Sequence, residues 1–475
     1  MIMALSDQEL FLHLAALIGE THVLTRPDDM APFCKEWRGL FPGRARAVVR
    51  PANTAEVSAL LQFCNTHRIP IVPQGGNTGL VGGQTPWDKG DEIVLSLQRM
   101  NHIRDVDPLS DTMVVEAGVT LFAAQEAAEK VDRLFPLSLA SEGSCTIGGN
   151  LASNAGGTAV LAYGNARELT MGLEVVLADG RVMDLLGRLR KDNTGYDLKN
   201  MFIGSEGTLG VITAAVLKLY PRPRAQVTVF AGLASPSAAL ALLNHLKADF
   251  GAGVTTFELL PRIALDMVCD HITGNRDPLV TRHDWYVLAE ISGADESLSE
   301  RVTASFTAMI EEGVVADAAI ALSLDQRMAL WRLRETLPEA QGHEGASIKH
   351  DIAVPLASVP QLIDDVCARV EKRVPGARPV PFGHLGDGNL HFNITQPKGM
   401  ERAAFMALWD DIGAIVYDET VKRRGSISAE HGIGRLKKKL LREVKDPVAL
   451  DVMAGLKRML DPHGILNPGK VIDAP

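Results

Sequence analysis

Apolar positions early in the chain follow two different periods, and their order predicts a βαβ unit. The stretches "ARAVVRP" and "IPIVPQGG" are short apolar runs typical of strands. Between them, "NTAEVSALLQFCNTHR" has helical apolar spacing, and Asn53 followed three residues later by Glu56 predicts its N-terminal cap. The glycines after the second strand run into "LVGGQTP" rather than directly into a long helix. This order disfavours a Rossmann dinucleotide site.

Later segments predict a second domain with a different pattern of strands and helices. Residues 172–186, "GLEVVLADGRVMDLL", predict a hairpin because Asp179-Gly180 tolerates positive φ. The strand-like run at 209–223 is closed by prolines, which indicates a domain boundary. Strand-like and helical segments then alternate, which predicts an α+β cap, an antiparallel sheet with helices on one face. We therefore expect a domain over 1–222, a cap over 223–425 and a C-terminal segment over 426–475 that completes the active site and packs back on the first domain.

Composition narrows the class of partner. The formal net charge of −10 disfavours nucleic acid and anionic membrane surfaces as partners. The five cysteines are scattered, which indicates reduced thiols in a cytoplasmic protein. The first twenty residues lack a basic region ahead of their apolar stretch and predict an amphipathic helix. No apolar run reaches the roughly 20 residues that a membrane-spanning helix needs.

Three glycine clusters indicate a large phosphate-bearing cofactor. They are "PQGGNTGLVGG" (73–83), "GSCTIGGNLASNAGG" (143–157) and "FIGSEGTLG" (202–210). Glycine exposes backbone N–H groups and permits positive φ, so such loops can wrap a pyrophosphate. One such loop alone would be an ordinary turn. Three loops beside predicted strands, each with Asn, Ser or Thr interleaved, favour a cofactor held between them.

The stretch "PFGHLGDGNLHFNI" (381–394) carries two histidines around a turn. With Asp387-Gly388 at the tip of a two-residue hairpin, His384 is expected directly opposite His391. Their Cβ atoms would then lie roughly 4.5–5.5 Å apart, close enough to share one metal ion. On this stretch alone, a metal site and a solvent-facing hairpin are equally supported.

A second segment favours the metal site. "SISAEHGIGRLKK" places Glu430 and His431 together in a glycine-bounded loop. Two imidazoles and a carboxylate suit zinc or another divalent transition ion, with a position left open for substrate.

Long motifs in a fixed order make the family resemblance specific. The chain resembles the flavin-dependent D-2-hydroxyacid dehydrogenases of the vanillyl-alcohol oxidase superfamily, which have a PCMH-type FAD-binding domain. The similarity is greatest to the D-2-hydroxyglutarate dehydrogenases, with D-lactate and glycolate dehydrogenases as relatives. The stretches that carry it are the first two glycine clusters, "YGNARELTMGLEVVLADG", "LRKDNTGYDLKNMFIGSEGTLGVIT", "FGHLGDGNLHFN" and "SAEHGIGRLKK".

The resemblance implies FAD as cofactor. No histidine stands in the first glycine loop, where relatives often attach flavin covalently, so non-covalent FAD is expected. By the resemblance, residues 74–79 and 82–83 should cradle the pyrophosphate. Residues 143–157 should wrap the ribityl and flavin portion, and residues 203–212 should border the adenine end. The residues expected to bind FAD are Pro73, Gln74, Gly75, Gly76, Asn77, Thr78, Gly79, Gly82, Gly83, Gly143, Ser144, Thr146, Gly148, Gly149, Asn150, Ser153, Asn154, Gly156, Gly157, Glu206, Gly207 and Ile212.

The same resemblance assigns roles to the histidine segments. His384, His391 and Glu430 match the family's metal ligands, and His431 matches its catalytic histidine. A metal chelated by the substrate carboxylate and hydroxyl would lower the hydroxyl pKa, and a neutral histidine could then take the proton. The hydride would go to flavin, and zinc would have no redox role.

The substrate clamp of the family is incomplete here. Its hydroxyglutarate enzymes bind the distal carboxylate with an arginine, a threonine and a lysine, which match Arg334, Pro338 and Lys349. Pro338 lacks the hydroxyl donor. Asn393 lies two residues beyond His391 on the same predicted strand face, and we expect it to bind substrate as well.

The sequence therefore predicts oxidation of a D-2-hydroxy acid to its 2-oxo acid, with D-2-hydroxyglutarate leading and D-lactate or another D-2-hydroxy acid as the alternative. Relatives pass electrons to electron-transfer flavoprotein, quinones or cytochromes, and no motif selects among them. Two rival functions stay open: an oxidase that uses oxygen directly, and a non-catalytic flavin-binding sensor. The oligomeric state is open too, a homodimer included.

Overall fold

The computed structural model describes residues 5–473, and the chain within it divides into two compact units. The first unit comprises the residues up to Gly156, Asn165–Arg222 and the residues from Glu430 onward. The second comprises Gly157–Gly164 and Pro223–Ala429.

Strands and helices both contribute to each unit, as expected for an α+β protein. The strands are β1 (Val23–Leu24), β2 (Ala45–Val49), β3 (Ile71–Gln74), β4 (Glu92–Ser96), β5 (Ile103–Asp107), β6 (Thr112–Glu116), β7 (Arg133–Leu134), β8 (Thr170–Val176), β9 (Val182–Leu185), β10 (Val211–Lys218), β11 (Tyr220–Pro221), β12 (Ala225–Leu233), β13 (Val254–Pro261), β14 (Trp285–Gly293), β15 (Asp317–Ile320), β16 (Ser347–Ile348), β17 (Asp351–Ala353), β18 (Arg378–His384) and β19 (Asn389–Thr395). The helices are α1 (Asp7–Ile18), α2 (Pro27–Met30), α3 (Thr54–His67), α4 (Leu121–Glu129), α5 (Ile147–Ser153), α6 (Val160–Tyr163), α7 (Lys199–Phe202), α8 (Pro236–Phe250), α9 (Arg262–His271), α10 (Leu298–Glu311), α11 (Leu324–Glu335), α12 (Leu337–His343), α13 (Val359–Arg373), α14 (Arg402–Met406), α15 (Trp409–Lys422), α16 (Lys438–Val444) and α17 (Pro447–Leu460).

The first unit contains the predicted βαβ unit. Strands β2 and β3 both pair in parallel with β4, in the order β1-β2-β4-β3, and α3 connects β2 to β3. The side chain of Asn53 accepts the backbone N–H of Glu56, so the predicted helix cap is confirmed. An antiparallel sheet of order β5-β6-β10-β8-β9 completes the unit, and its β8–β9 hairpin turns at Gly180 with φ +88°, as predicted.

The predicted N-terminal amphipathic helix is also present. Helix α1 begins at a capping box formed by Ser6 and Glu9, and it buries Leu10, Leu14 and Ile18 in the core of the first unit. Among residues 5–473, no helix combines the length and apolar character needed to cross a bilayer.

The second unit is built on one long antiparallel sheet of order β15-β12-β14-β13-β18-β19-β16, with β17 also paired to β19. The predicted placement of helices on one face is wrong. One face packs against α8, α10, α13 and α15, and the other against α9, α11 and α12. The cause is that the central strands are apolar on both faces: in β13, Leu259 points into the first core and Leu260 into the second.

The C-terminal residues lie within the first unit. Leu466 forms a parallel bridge with Ile71 at the start of β3. Lys457 of α17 is buried and donates to the carbonyl oxygens of Thr208 and Leu466 and to the carboxylate of Asp461. These bonds fix the C-terminal segment beside the third glycine cluster.

Candidate active site

A groove in the first unit is lined by all three glycine clusters. The predicted cofactor residues in its wall are Pro73, Gln74, Gly75, Gly76, Asn77, Thr78, Gly79, Gly83, Thr146, Gly148, Gly149, Asn150, Ser153, Glu206, Gly207 and Ile212. His431 lines it too, as do Ala152, Ser205, Gly210 and Val211, which lie within the predicted ranges 143–157 and 203–212. The sequence did not indicate three further lining residues: Val81, Gln84 and Leu97. The groove thus brings the clusters together in one place, although they are far apart in sequence.

Glycine is required where the loops touch. A Cβ atom on Gly76 would lie 1.9 Å from the carbonyl oxygen of Ser144, and one on Gly75 would lie 2.3 Å from Oγ1 of Thr146. A Cβ atom on Gly148 would lie 2.6 Å from Cβ of Ala117. The first two clusters therefore approach each other backbone to backbone, which only glycine permits.

The groove wall also offers acceptors that the described residues leave unpaired. The amide nitrogen of Gln74 donates to the carbonyl oxygens of Phe33 and Gln84, and that of Asn77 donates to two carbonyl oxygens of residues 32–35. Their side-chain oxygens are buried, and neither has a hydrogen-bond partner in the described part of the chain. Asn77 has φ +57°, and a left-handed residue of this kind lets successive backbone N–H groups of a loop point toward one anion. A dinucleotide such as FAD carries both hydroxyl groups and phosphates. The side-chain oxygens can accept hydrogen bonds from its hydroxyl groups, and the neighbouring glycine loop can bind its phosphates, so the groove fits FAD.

Some predicted cofactor residues lie outside this groove wall: Gly82, Gly143, Ser144, Asn154, Gly156 and Gly157. Gly143 and Ser144 line a second cavity of the first unit, which shares Gly76 and Thr146 with the groove. Asn154 ends α5 in the left-handed conformation, and its side chain accepts the backbone N–H of Arg167. In the structure, Asn154 therefore serves as a helix terminator.

Glu206 links the groove to the loop that carries His431. The resemblance places Glu206 at the adenine end of FAD, and its carboxylate accepts the backbone N–H groups of Ile433 (2.7 Å) and Gly434 (2.8 Å). Burial raises the pKa of Glu206 to about 7, although these N–H groups and the charge of Lys437 act in the opposite direction. Its backbone oxygen accepts a bond from Asn467, which also binds the backbone oxygen of Gly83.

The predicted hairpin is present in the second unit, but the predicted register is wrong. His391 lies opposite Phe382, and the strands are joined by a 3₁₀ turn over Leu385–Asp387 that ends at Gly388 with φ +83°. A Cβ atom on Gly386 would lie 2.8 Å from Leu161, so packing against α6 fixes this longer turn.

The two histidines are nevertheless neighbours. A shift of two residues keeps His384 and His391 on the same face, as diagonal neighbours instead of a direct pair. Their ring centroids lie 5.3 Å apart, with the rings nearly perpendicular. His384 is buried and His391 is partly buried, and both strands are interior to the sheet. The solvent-facing alternative for this hairpin is wrong.

Behind His384 lies a carboxylate that the sequence did not reveal. Oε1 of Glu258 lies 2.5 Å from Nδ1 of His384, and Oε2 accepts a bond of 2.6 Å from Nε of Arg334. Burial opposes the charge of Glu258, but the charges of His384 and Arg334 outweigh it and hold its pKa at about 2. Arg334 is buried and lies over the ring of Phe382, so the solvated alternative for this residue is wrong.

Other predicted substrate residues have partners within the second unit. Asn393 is buried and donates to the side chain of Gln341. Lys349 lies in the two-residue interruption between β16 and β17.

Asp351, at the start of β17, is buried 4.0 Å from Nδ1 of His391 and accepts a bond from Asn389. Pro338 is exposed in the first turn of α12, where a proline is tolerated.

In the first unit, Glu430 and His431 are adjacent and partly buried. Nε2 of His431 lies 4.0 Å from Oε1 of Glu430. Glu206 holds the backbone of the loop beyond them through a buried contact, and His431 lines the groove.

Comparison with known proteins identifies the family. The model described as "FAD binding domain" matches residues 45–186, and the model described as "FAD linked oxidases, C-terminal domain" matches residues 222–471. The chain belongs to the FAD-linked oxidase family, and its cofactor is FAD.

Two relatives and one solved structure illustrate the similarity. The mitochondrial D-2-hydroxyglutarate dehydrogenase of Bos taurus is 40% identical over 463 residues, covering 97% of this chain and 83% of that protein. The D-2-hydroxyglutarate dehydrogenase of Xanthomonas citri pv. viticola is 36% identical over 465 residues, covering 97% of this chain and 96% of that protein. The structure of p-cresol methylhydroxylase matches with a TM-score of 0.77 and 18% identity, covering 98% of this chain and 97% of that chain. This structural match confirms the predicted fold class.

Proposed function

We propose that the protein is an FAD-dependent dehydrogenase that oxidises D-2-hydroxyglutarate to its 2-oxo acid. The observation that carries the choice of substrate is the buried Arg334 beside the histidine hairpin. The family and the relatives named as D-2-hydroxyglutarate dehydrogenases support the reaction class. Electrons leave for a separate acceptor, such as electron-transfer flavoprotein, a quinone or a cytochrome.

Arg334 is the candidate group for the distal carboxylate. Among the described residues, only Glu258 accepts a hydrogen bond from it, and that bond uses Nε. Its two terminal nitrogens therefore form the edge that can hold a carboxylate in a bidentate pair. Lys349 adds a second positive charge in the same unit.

We assign a divalent cation, with zinc as the expected ion, to His384, His391 and Glu430. Within the second unit, the adjacent rings of the two histidines support this ligand set, as does the carboxylate bound to Nδ1 of His384. When bound, the cation supplies a Lewis acid that lowers the pKa of the substrate hydroxyl.

We assign His431 as the group that accepts the proton of the substrate hydroxyl. FAD, when bound, supplies the hydride acceptor. His431 lines the FAD groove, and Glu206 holds the backbone of the adjoining loop, so the imidazole is carried to the groove by a fixed segment of chain.

D-lactate or another D-2-hydroxy acid is the second candidate substrate. Pro338 favours it, because an exposed proline cannot supply the hydroxyl donor that the family's clamp has at this position. A substrate without a distal carboxylate would not need that donor.

The proposal is tested by anaerobic flavin bleaching against a panel of D- and L-2-hydroxy acids, with and without a chelator. We expect D-2-hydroxyglutarate to bleach the flavin fastest, the L-acids to have no effect, and chelation to slow bleaching. Peroxide yield in air, compared with dye reduction, separates a dehydrogenase from an oxidase. Bleaching that is unchanged by complete chelation would contradict the metal assignment.

His431→Ala tests the proton acceptor separately. We expect this variant to bind FAD and lose most flavin reduction by substrate. Near-normal reduction would remove His431 from that role.

A further inference from the structure

We propose that Glu258 is a positioning residue that couples the substrate-binding arginine to the metal-binding hairpin. One of its carboxylate oxygens orients His384, and the other orients Arg334. This inference rests on the proposed function, because it takes Arg334 as the carboxylate clamp and His384 as a metal ligand.

The position of Glu258 in the sheet makes both contacts possible. Glu258 lies in β13 directly opposite His384 in β18, so the two side chains project from the same face. That face packs against α11, whose last turn carries Arg334. The Glu258 side chain is fully buried, and its two oxygens bind one partner each, at 2.5 Å and 2.6 Å.

For the histidine, the contact selects a tautomer. A carboxylate at Nδ1 requires that this nitrogen carry the proton, so the lone pair is on Nε2, the nitrogen that can bind a metal ion. Carboxylate–histidine pairs of this kind orient metal ligands and raise their basicity, and removing the carboxylate typically lowers metal affinity 10- to 100-fold.

For the arginine, the contact selects an edge of the guanidinium. Binding at Nε leaves the two terminal nitrogens as the edge for an incoming carboxylate. Cζ of Arg334 lies over the ring of Phe382, 4.9 Å from the ring centroid, so the ring bounds the guanidinium on one side. Phe382 itself lies opposite His391 in the hairpin. The orientation of the clamp and that of the histidine pair are therefore set by the same side chains.

A second buried glutamate in the same sheet offers a comparison for Glu258. Glu290 of β14 is buried and accepts bonds from Arg327 (3.0 Å) and Trp331 (3.1 Å) of α11. Like Glu258, it ties the same helix to the same sheet through an arginine. Unlike Glu258, it contacts no histidine in the described part of the chain. Glu290→Gln is therefore the matched control.

The first measurement is metal affinity, which does not depend on turnover. Purified FAD-loaded protein is stripped of metal and titrated with ZnCl₂ in competition with a chromophoric chelator. In Glu258→Gln, the amide N–H₂ can face Nδ1 of His384 and force the other tautomer. We expect the zinc affinity of this variant to fall about 10- to 100-fold, and that of Glu290→Gln to change less than threefold. Equal zinc affinity in Glu258→Gln and wild type would overturn the proposal.

The second measurement is selectivity. With saturating zinc, we expect Glu258→Gln to lower the ratio of kcat/KM for D-2-hydroxyglutarate to kcat/KM for D-lactate at least tenfold, mainly through KM. An unchanged ratio would show that Glu258 does not orient Arg334 and would overturn the coupling. If wild type oxidises neither acid, the proposed function fails, while the zinc titration still decides the role of Glu258 at the hairpin.

Glu258→Asp covers the case in which the glutamine variant does not fold. Aspartate retains the charge, but it is one methylene shorter and cannot reach both partners. We expect the same joint loss of zinc affinity and selectivity in a protein with normal FAD content and circular dichroism. Retention of both properties in Glu258→Asp would overturn the proposal.

Discussion

The carboxylate of Glu206 accepts the backbone N–H of Ile433 at 2.7 Å, two residues beyond His431. This contact joins the third glycine cluster to the loop that carries the candidate proton acceptor. The same carboxylate also accepts the N–H of Gly434, and its pKa is raised to about 7 by burial. A buried, titratable carboxylate therefore holds the backbone two and three residues beyond His431.

Glu206→Gln should change the pH dependence of stability. The pKa of Glu206 is higher in the folded protein than its ordinary value of 4.5, so the folded state binds more protons between about pH 4.5 and 7. Stability contributed by Glu206 is therefore present at low pH and is lost as pH rises through 7. The amide of the glutamine variant cannot titrate, so the variant does not lose this stability as pH rises. We expect the variant to gain stability relative to wild type, on the order of 1–3 kcal/mol, between pH 5 and pH 8.

Thermal unfolding of FAD-saturated protein at several pH values between 5 and 8 measures this difference. Glu36→Gln is a suitable comparison, since Glu36 is a buried carboxylate of the same unit that also accepts two backbone N–H groups, those of Arg38 and Leu40. A constant difference between Glu206→Gln and wild type across this range would contradict the raised pKa.

Gly76→Ala should weaken FAD binding. The added Cβ would lie 1.9 Å from the carbonyl oxygen of Ser144, so the two loops would have to separate. Overpacking of this kind costs about 1–3 kcal/mol, which corresponds to roughly 10- to 100-fold in affinity if the loops bind FAD. FAD fluorescence titration of the apoprotein measures it.

Gly187→Ala is the matched control for Gly76→Ala. A Cβ atom on Gly187 would have no neighbour within 4 Å, and its φ is not in the left-handed region. We expect its FAD affinity to equal that of wild type. Equal affinity in Gly76→Ala and Gly187→Ala would show that the close approach of the loops does not shape the cofactor site.

Local sequence patterns were sufficient to predict most of the residues that line the groove. They were not sufficient to predict the buried acids that contact the histidines of the hairpin. The glycine clusters are informative because each needs backbone approach or positive φ at its own positions, and most of the predicted cofactor residues line one groove. Turn chemistry around Asp387-Gly388 predicted a tight hairpin, whereas packing of Leu161 against Gly386 selected the longer 3₁₀ turn. Tertiary contact decided the register here.

The histidine partners of Glu258 and Asp351 could not be predicted from the sequence. Each is one acid in or beside an apolar strand, and only strand pairing brings it to a histidine: Glu258 to His384 across β13 and β18, and Asp351 to His391 across β17 and β19. A buried acid in a strand such as "TTFELLP" could have been marked as one that needs a partner. The identity of that partner depends on the topology.

Lys457→Met should destabilise the first unit strongly. Nζ of Lys457 donates to Asp461 at 2.6 Å and to the carbonyl oxygens of Thr208 and Leu466, all buried. Methionine leaves the buried Asp461 without its cation, which typically costs about 3–5 kcal/mol. The unfolding midpoint in urea measures the loss.

The double variant Lys457→Met with Asp461→Asn tests the physical cause. It removes both charges, so we expect it to recover part of the loss. No recovery would indicate that packing of the lysine stem, not the unpaired carboxylate, dominates the effect.

Arg334→Met should alter substrate selectivity. Methionine retains most of the apolar contact with Phe382 but removes the guanidinium edge that is proposed to bind the distal carboxylate. Losing one partner of a buried charged pair costs 2–5 kcal/mol or more, so kcat/KM for D-2-hydroxyglutarate should fall about 100-fold relative to that for D-lactate. Using the ratio removes any effect that is transmitted through Glu258 to the hairpin, because that effect is common to both substrates. Arg332→Met, on the same helix but exposed and bound to the carbonyl oxygen of Thr273, should leave the ratio unchanged. If Arg334→Met also leaves the ratio unchanged, the arginine is a structural partner of Glu258 and a shorter D-2-hydroxy acid becomes the leading substrate.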